Sequence, residues 1–371
     1  MGLASTKLTK RRTCRGEDYH SAPPLTIGLD MSDRTCQACV LDTGSGEVLE
    51  RFGVETMRSG FERRFGGRPR ARIVIEAGGH SPWASRALAA LGHEVIVANP
   101  RKVRLIAASD HKTDHIDAET LARLGRVDVA LLHPIEHRSA KAQEDLAILR
   151  ARDQLVGART ALINHVRGAV KSFGARIAST SAEAFASKAK LELPQELRPA
   201  LEPLIETISM LTQSIRSYDA KVEELCKGSY PQTSMLREVK GVGPLTALAF
   251  VLTLGSPERF RKSRQVGAYL GLRPKVSQSG DANPQLPITK AGDTFLRRLL
   301  VGSAHYILGP FGPDCALRRI GLRLMASGGA SAKKRAVVAV ARRLAVLLHS
   351  LWKTAEVYDP MRNAPPALSN P

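Results

Sequence analysis

Five short apolar runs fall between residues 25 and 99: LTIGLDM, TCQACVLD, EVLERFGVE, ARIVIEA and HEVIVAN. They are rich in Val and Ile and bounded by turn residues such as Gly44 and Gly46, so the pattern predicts five strands. Between the last two lies SPWASRALAALG, an alanine-rich stretch ended by Gly92, which predicts a helix. A β-meander followed by α/β alternation predicts a mixed sheet flanked by helices over residues 21–140.

The period then changes. From about Ala142 to Phe173 apolar pairs recur every seven residues, at Ile148/Leu149, Leu155/Val156, Leu162/Ile163 and Ala169/Val170. From Leu201 a second series (Leu204, Ile208, Leu211, Ile215, Tyr218, Val222, Leu225) alternates steps of three and four, the seam of a coiled coil. Residues 141–232 thus read as a helical connector, either a hairpin folded on itself or a dimerisation element. The stretch between the two series is small and polar and predicts loop or short helix. Residues 233–358 are mostly helical, with a loop rich in Gly, Ser and Pro from Gly271 to Pro287. The tail 359–371 has too much Pro and Asn to fold alone.

Charge adds a partner to this outline. The 371 residues carry 55 Lys and Arg against 35 Asp and Glu, a net +20. Residues 236–371 alone hold 21 of the cations and only 7 of the acids, a surplus of +14. A basic extension, residues 1–20, supplies roughly half of the rest. A regional surplus of this size is the footprint of a polyanion, because each phosphate neutralised by Lys or Arg releases condensed counterions. Nucleic acid fits it better than an anionic membrane, since the basic helix KKRAVVAVARRLAVLLHSLWK has a broad apolar face of the kind that fills a core. No run of about twenty apolar residues is present, so no membrane span is expected. The N-terminus lacks the apolar stretch of a signal peptide. Five cysteines without framework spacing fit a reducing compartment, and the expected location is the cytoplasm, at the nucleoid.

With nucleic acid as partner, carboxylates at element ends are where chemistry is to be sought. Asp30 ends the first strand (IGLDMS) and Glu76 another (IVIEAGG), ahead of glycines that let a ligand come close. Asp114 and Asp117 lie in KTDHIDAETLARL, three residues apart on one helical face. Four such groups brought together would suit two hard cations, Mg²⁺ above all. Two ions about 3.5–4 Å apart stabilise both the attacking and the leaving oxygen of a phosphodiester. Each residue taken singly is equally a turn or capping residue. Cys36 and Cys39 have C-x-x-C spacing without a second pair, which points to two thiols in a strand and not to zinc. The histidines, His111 and His115 beside Asp114 included, show no metal spacing. Phe260, Tyr269 and Phe295 read as core. No phosphate-binding loop of an ATPase is present.

In the basic region, Lys240, Gly241 and Gly243 of KGVGP form a turn between two helices, a device for gripping a phosphate backbone without reading sequence. Farther on, Ser277 and Ser279 lie in a loop preceded by Arg273 and Lys275 and followed by Lys290, Arg297 and Arg298. A serine hydroxyl among cations has the makings of a nucleophile toward phosphate.

Together, IGLD, VIEAGG, TDHIDA, KGVGP, YLGLRP, the Ser-Gly pair and ITKAGDTFLRRLL resemble the insertion-sequence transposases of family one-ten, the DEDD-type recombinases, over roughly Leu25 to Tyr358. The resemblance implies a RuvC-like domain of the RNase H fold, a coiled-coil connector and a C-terminal transposase domain with a nucleophilic serine. It implies the tetrad Asp30, Glu76, Asp114 and Asp117 as metal ligands and Ser279 as nucleophile, with Ser277 the competing choice. It also implies homo-oligomers with sites shared between subunits, and a bridge RNA that pairs with donor and target DNA. Relatives often carry Lys near the position of Asp33 and Arg34. Other readings of the same residues are a site-specific DNA invertase, a junction-resolvase-like nuclease that needs no serine, and a nucleic-acid-binding protein without catalysis.

Overall fold

The computed structural model describes residues 23–106, 113–277, 286–326, 328–329 and 331–366. The chain divides into two units, one up to His137 and one from Arg138 onward.

The first unit is built on a five-stranded sheet of β1 (Leu25–Asp30), β2 (Thr35–Asp42), β3 (Val48–Glu55), β4 (Ala71–Glu76) and β5 (Glu94–Ala98). In space the order is β3-β2-β1-β4-β5. β1, β2 and β3 form the expected antiparallel meander, and β4 and β5 add to it in parallel. Between them run α1 (Arg58–Phe65) and α2 (Ser81–Ala90), followed by α3 (Pro100–Ile106) and α4 (Asp114–Val127). The central strand β1 is buried on both faces, which is why LTIGLD reads as a nearly continuous apolar run.

Strand residues alternate between faces, and the two faces are covered differently. Ile27, Leu29, Ile73 and Ile75 pack with Phe61, Phe65, Ala84 and Leu88 of α1 and α2. On the other face Cys39 and Leu41 pack against Ala118 and Ala122 of α4, and Val74 packs with Leu121. Cys36 belongs to the first of these cores and Cys39 to the second, so a spacing of three along a strand sends the two thiols to opposite faces. They share no metal and no disulfide; both are free and buried.

The second unit starts with two long helices, α5 (Ala140–Lys171) and α7 (Arg198–Gly228), with the short α6 (Phe185–Glu192) between them. α5 and α7 pack on each other within the chain. Arg152 pairs with Asp219 at 2.6 Å, Arg159 donates to Thr212 Oγ1 at 3.3 Å, and Ile163 shares a core with Ile208. The partners advance along α5 while they retreat along α7, so the helices are antiparallel, as the hairpin reading expects. The buried row on α7 is Leu201, Ile205, Ile208, Thr212, Ile215, Val222 and Cys226. Leu204, Leu211, Tyr218 and Leu225, half of the predicted seam, are only half-buried. The packed face is therefore rotated from the heptad seam toward the following position.

The remaining helices are α8 (Thr233–Arg237), α9 (Pro244–Leu254), α10 (Arg264–Tyr269), α11 (Thr294–Leu308), α12 (Ala316–Ala326) and α13 (Ala332–Thr354). From Thr246 to Leu254 every residue of α9 is buried, so this helix is the centre of the unit. Leu146 and Leu149 of α5 and Val222 and Cys226 of α7 belong to the same core, as do Leu344 and Leu348 of α13. Phe260 and Tyr269 meet there edge to face, with ring centroids 5.3 Å apart. Arg138 donates to the carbonyls of Leu252 and Thr253 at 2.8 and 3.2 Å, satisfying the last turn of α9. The Pro-rich segment after Asp359 is held from outside: Pro360 O accepts from Ala316 N, and Pro365 and Pro366 accept from Arg319 and Arg323. Among the described residues no helix is long and apolar enough to cross a membrane.

Candidate functional site

Three contacts fix where the four carboxylates stand. First, β1 and β4 are parallel neighbours with Leu29 beside Ile75, so Asp30 and Glu76, the next residues, end the two strands at one edge of the sheet. Second, strand alternation puts Asp30 on the face of Gly28 and Glu76 on the face of Val74, the face covered by α4. Third, α4 runs antiparallel to β1. Its early residue Ala118 lies on Gly28, while Arg126 near its end donates to the carbonyls of Thr43 and Gly44, beside the start of β1. The N-terminus of α4, with Asp114 and Asp117 in its first turn, is therefore at the same end of the sheet as Asp30 and Glu76.

Sequence chemistry makes this approach possible. A Cβ on Gly28 would lie 1.9 Å from Ala118 O, and one on Gly125 would lie 2.3 Å from Val74 Cγ2. Glycine on the strand lets the two backbones nearly touch, and glycine on the helix makes room for the Val74 side chain. Thr113 caps α4 by accepting from Ile116 N, so the N-cap is a threonine and neither aspartate, while the charges of both aspartates still favour the helix N-terminus. Asp30 and Asp117 are half-buried, Glu76 and Asp114 exposed.

The loops beyond the strand ends carry a pair that strand and helix periodicity does not flag. His80 Nε2 lies 3.1 Å from Asp33 Oδ1, joining the loop after β4 to the loop after β1, and Trp83 Nε1 donates to His80 Nδ1 at 3.2 Å. Ser81 closes the turn through hydrogen bonds with Gly78. A Cβ on Gly78 or Gly79 would have nothing within 4 Å, so the approach to Glu76 is open. Glu119, one turn into α4, is engaged by Arg51 at 2.7 Å and Arg123 at 2.6 Å, which hold its carboxyl below the usual range. It is tied to β3 and is not a fifth member of the group.

Four carboxylates form an all-oxygen donor set, the chemistry that a hard divalent cation requires. Among the described residues, however, no three His, Cys, Asp or Glu side chains gather around one point that would hold a metal ion. The elements bring the four acids to one edge and one face; they do not close them on a common centre.

In the second unit, Gly241 has φ +93°, and a Cβ there would lie 2.9 Å from Tyr306 Cδ1, so both backbone and space demand glycine. Gly243 is the exposed N-cap of α9 and Pro244 its first residue, with Lys240 exposed beside them. The segment KGVGP thus lies between α8 and α9, the turn between two helices expected of it.

The segments on either side of the expected serine loop pair as a short antiparallel stem. Pro274 bridges Ile288, Lys275 N donates to Pro287 O and Thr289 N donates to Arg273 O. At its base Gly271 and Gly292 have φ +68° and +72° and lie against the opposite backbone. Arg273, Lys275, Ser277 and Lys290 are exposed on this stem. Ser279, His111 and the basic extension 1–20 lie outside the described residues. Two expected phosphate ligands have partners inside the chain: Arg297 donates to Leu270 O and Ala291 O at 3.0 and 2.7 Å, and Arg298 pairs with Asp153. Arg297 thus clamps the two sides of the stem base together, a role its sequence position did not disclose.

Comparison with known proteins adds to this geometry. A transposase family model of the DEDD type matches residues 27–174, and the model described as the transposase IS116/IS110/IS902 family matches 233–312. The chain is 30% identical over 291 residues to a probable family 20 transposase of Pseudomonas aeruginosa, covering 76% of this chain and 83% of that protein. It is 26% identical over 340 residues, 90% of each chain, to the transposase for insertion sequence element IS1111A of Coxiella burnetii. It is also 23% identical over 344 residues to the pilin gene-inverting protein of Moraxella lacunata, covering 90% of this chain and 97% of that protein.

Proposed function

The chain belongs to the IS110 family of transposases, and from that premise we propose that it breaks and rejoins DNA through a covalent serine intermediate, assisted by divalent cations and guided by a bridge-type RNA. One observation carries the reading. Residues as distant as Asp30, Glu76, Asp114 and Asp117 are delivered to one edge and one face of a sheet by two strand ends and one helix start. Capping roles for each, taken one at a time, would not place all four there.

In this reading those four carboxylates hold Mg²⁺, which when bound stabilises charge on the phosphate and on the departing oxygen. Four like charges in one place repel one another, and a cation held among them would relieve that repulsion. The fold assigned to the sheet unit is RuvC-like, of the RNase H type, with the connector a coiled coil.

Ser279 Oγ attacks phosphorus; the new Oγ–P bond replaces the bond from phosphorus to a deoxyribose oxygen. The hydroxyl loses its proton and the departing sugar oxygen gains one. Rejoining reverses this: a sugar hydroxyl attacks the seryl phosphodiester and releases the serine. Ester bonds are exchanged one for one, so no nucleoside triphosphate is needed. The exposed cations of the stem and the turn at Lys240, Gly241 and Gly243 grip the phosphate backbone. Arg297, spent on the clamp, keeps the stem in shape. The surplus of +14 in this region supports a structured RNA as a further partner, held by shape and phosphate while base pairing selects the DNA. The serine of one subunit serves the carboxylates of another.

The kinship with a pilin gene-inverting protein favours a second reading, inversion between fixed sites. The chemistry is the same and only the arrangement of sites differs.

The test is a trapped adduct. Purified protein with element-flanking RNA, Mg²⁺ and labelled DNA, denatured after reaction, leaves DNA bound to protein; Ser279→Ala removes the adduct and Ser277→Ala keeps it. Cleavage that persists in Ser279→Ala without adduct supports a resolvase-like nuclease instead.

A further inference from the structure

The second unit holds a cavity of about 1030 Å³ that, apart from Arg273 of the stem, none of the preceding chemistry uses. Helices α10, α12 and α13 and the segment around Tyr358 enclose it. Lys262, Arg264, Arg273, Arg342 and Arg343 line it, and among the described residues none of the five forms an ion pair. The two acids of its wall are spent locally. Glu356 pairs with Arg362, and Asp359 accepts from Met361 N at 2.9 Å. Five cations without an ion pair thus face one carboxylate whose charge is not neutralised, Asp359, and the rim is cationic overall.

The floor is of the opposite kind. Ala268, Leu317, Val346 and Leu347 line it, and Val357, 92% exposed, stands at its wall. Tyr358 presents a half-buried ring whose phenol is pushed up to about 12, chiefly by burial and also by the charges of Cys315 and Asp359, so it stays neutral. The cavity is built, not incidental. Gly267 lets the stem of Arg342 lie on α10, since a Cβ there would meet Arg342 Cγ at 2.9 Å. The wall formed by the C-terminal segment is fastened to α12 through Pro360, Pro365 and Pro366.

A ligand matching this site is anionic at its edge and flat and apolar in its body. A duplex offers only its phosphates, because its bases are stacked inside. An unpaired nucleotide offers both, its base to the floor and its phosphates to the rim. Drug-sized ligands fill pockets of about 300–1,000 Å³, so there is space for more than one nucleotide. We propose that this cavity seats unpaired nucleotides of a single-stranded nucleic acid, with the bases on the Leu317/Leu347 floor and the phosphates against Arg264, Arg342 and Arg343. The proposal rests on the reading of the chain as a nucleic-acid enzyme and specifies which form of nucleic acid this part of it takes.

The experiment is fluorescence anisotropy on the full-length protein, with a labelled oligouridylate of ten nucleotides and a duplex of equal length, across a salt series. Three variants separate charge from shape. The double variant Arg342→Gln/Arg343→Gln lowers single-strand affinity about tenfold, and the salt slope falls by about 0.7 for each phosphate that the protein no longer neutralises. Ala268→Trp fills the floor without changing charge; it weakens single-strand binding about fivefold and leaves salt slope and duplex binding unchanged. Val357→Asp, at a position too exposed to unfold the chain, weakens single-strand binding as well. Equal loss for single strand and duplex in Ala268→Trp, no loss in it, or displacement of the oligonucleotide by polyglutamate as effectively as by nucleic acid would overturn the proposal. Asp114→Ala, assayed alongside, keeps full single-strand affinity. Failure of this site therefore leaves the recombinase reading standing, and loss of recombination leaves this site standing.

Discussion

Gly28 of β1 and Ala118 of α4 are in such close approach that a Cβ on Gly28 would stand 1.9 Å from Ala118 O and 2.5 Å from Ala122 N. Both obstacles are backbone atoms, so neither can swing aside. Gly28→Ala therefore forces α4 away from the sheet, at about 1–3 kcal/mol or more for an overpacked core. Because α4 carries Asp114 and Asp117, recombination falls with stability. Gly79→Ala, where a Cβ meets nothing within 4 Å, is the control and costs little. Thermal unfolding of the two variants checks this: several degrees lost for the first, almost none for the second.

His349 is fully buried on α13, hydrogen-bonded to Ser263 Oγ and Pro257 O at 2.9 Å each. Burial holds its pKa below that of an exposed histidine, with Lys353 adding to the effect and Pro257 O and Glu258 opposing it. The unfolded chain thus binds this proton at higher pH than the folded one. Its stabilising contribution is complete above about pH 6.5 and is lost as pH falls toward the depressed folded value. Melting temperature should decline from pH 7.5 to 5.5, and His349→Gln, which keeps polar contacts but does not titrate, should flatten that decline.

Arg297 lies between Leu270 O and Ala291 O, one on each side of the stem. If its task is the clamp, Arg297→Lys fails as badly as Arg297→Ala, because Nη1 reaches both Leu270 O and Ala291 O while Nη2 holds Thr294 Oγ1, positions that an ammonium on a shorter side chain does not span. Covalent adduct drops about tenfold in both. Recovery in Arg297→Lys would mean that only the charge matters and that the residue faces phosphate.

The strands and the long helices were legible because each leaves a local signature, alternation or a seven-residue period; the four acids stood out only as carboxylates at element ends, each singly equal to a turn or capping residue, and were grouped by the resemblance. What the sequence did not disclose depends on contacts between distant segments. The rotated face of α7, burying Ile205, Thr212 and Cys226, is set by which side α5 offers. The separation of Cys36 from Cys39 follows from strand alternation once α4 covers the second face. The clamp made by Arg297 has no periodicity at all, and the His80–Asp33 pair joins residues from two loops. Basic residues counted as one surplus resolve into helix caps, ion pairs and an unpaired rim, a sorting that only packing performs.

The four carboxylates carry the central claim. The most direct measurement is strand cleavage and adduct formation by the full-length protein with Mg²⁺, RNA and DNA, comparing Asp30→Asn, Glu76→Gln, Asp114→Asn and Asp117→Asn with the unaltered chain. Each amide keeps size and hydrogen-bonding reach while removing one anionic oxygen donor. The prediction is a loss of at least about a hundredfold for each, about 2.7 kcal/mol of barrier, with melting temperature and nucleic-acid affinity retained. Undiminished cleavage in Asp114→Asn and Asp117→Asn would contradict it and leave those residues as first-turn charges that favour the N-terminus of α4.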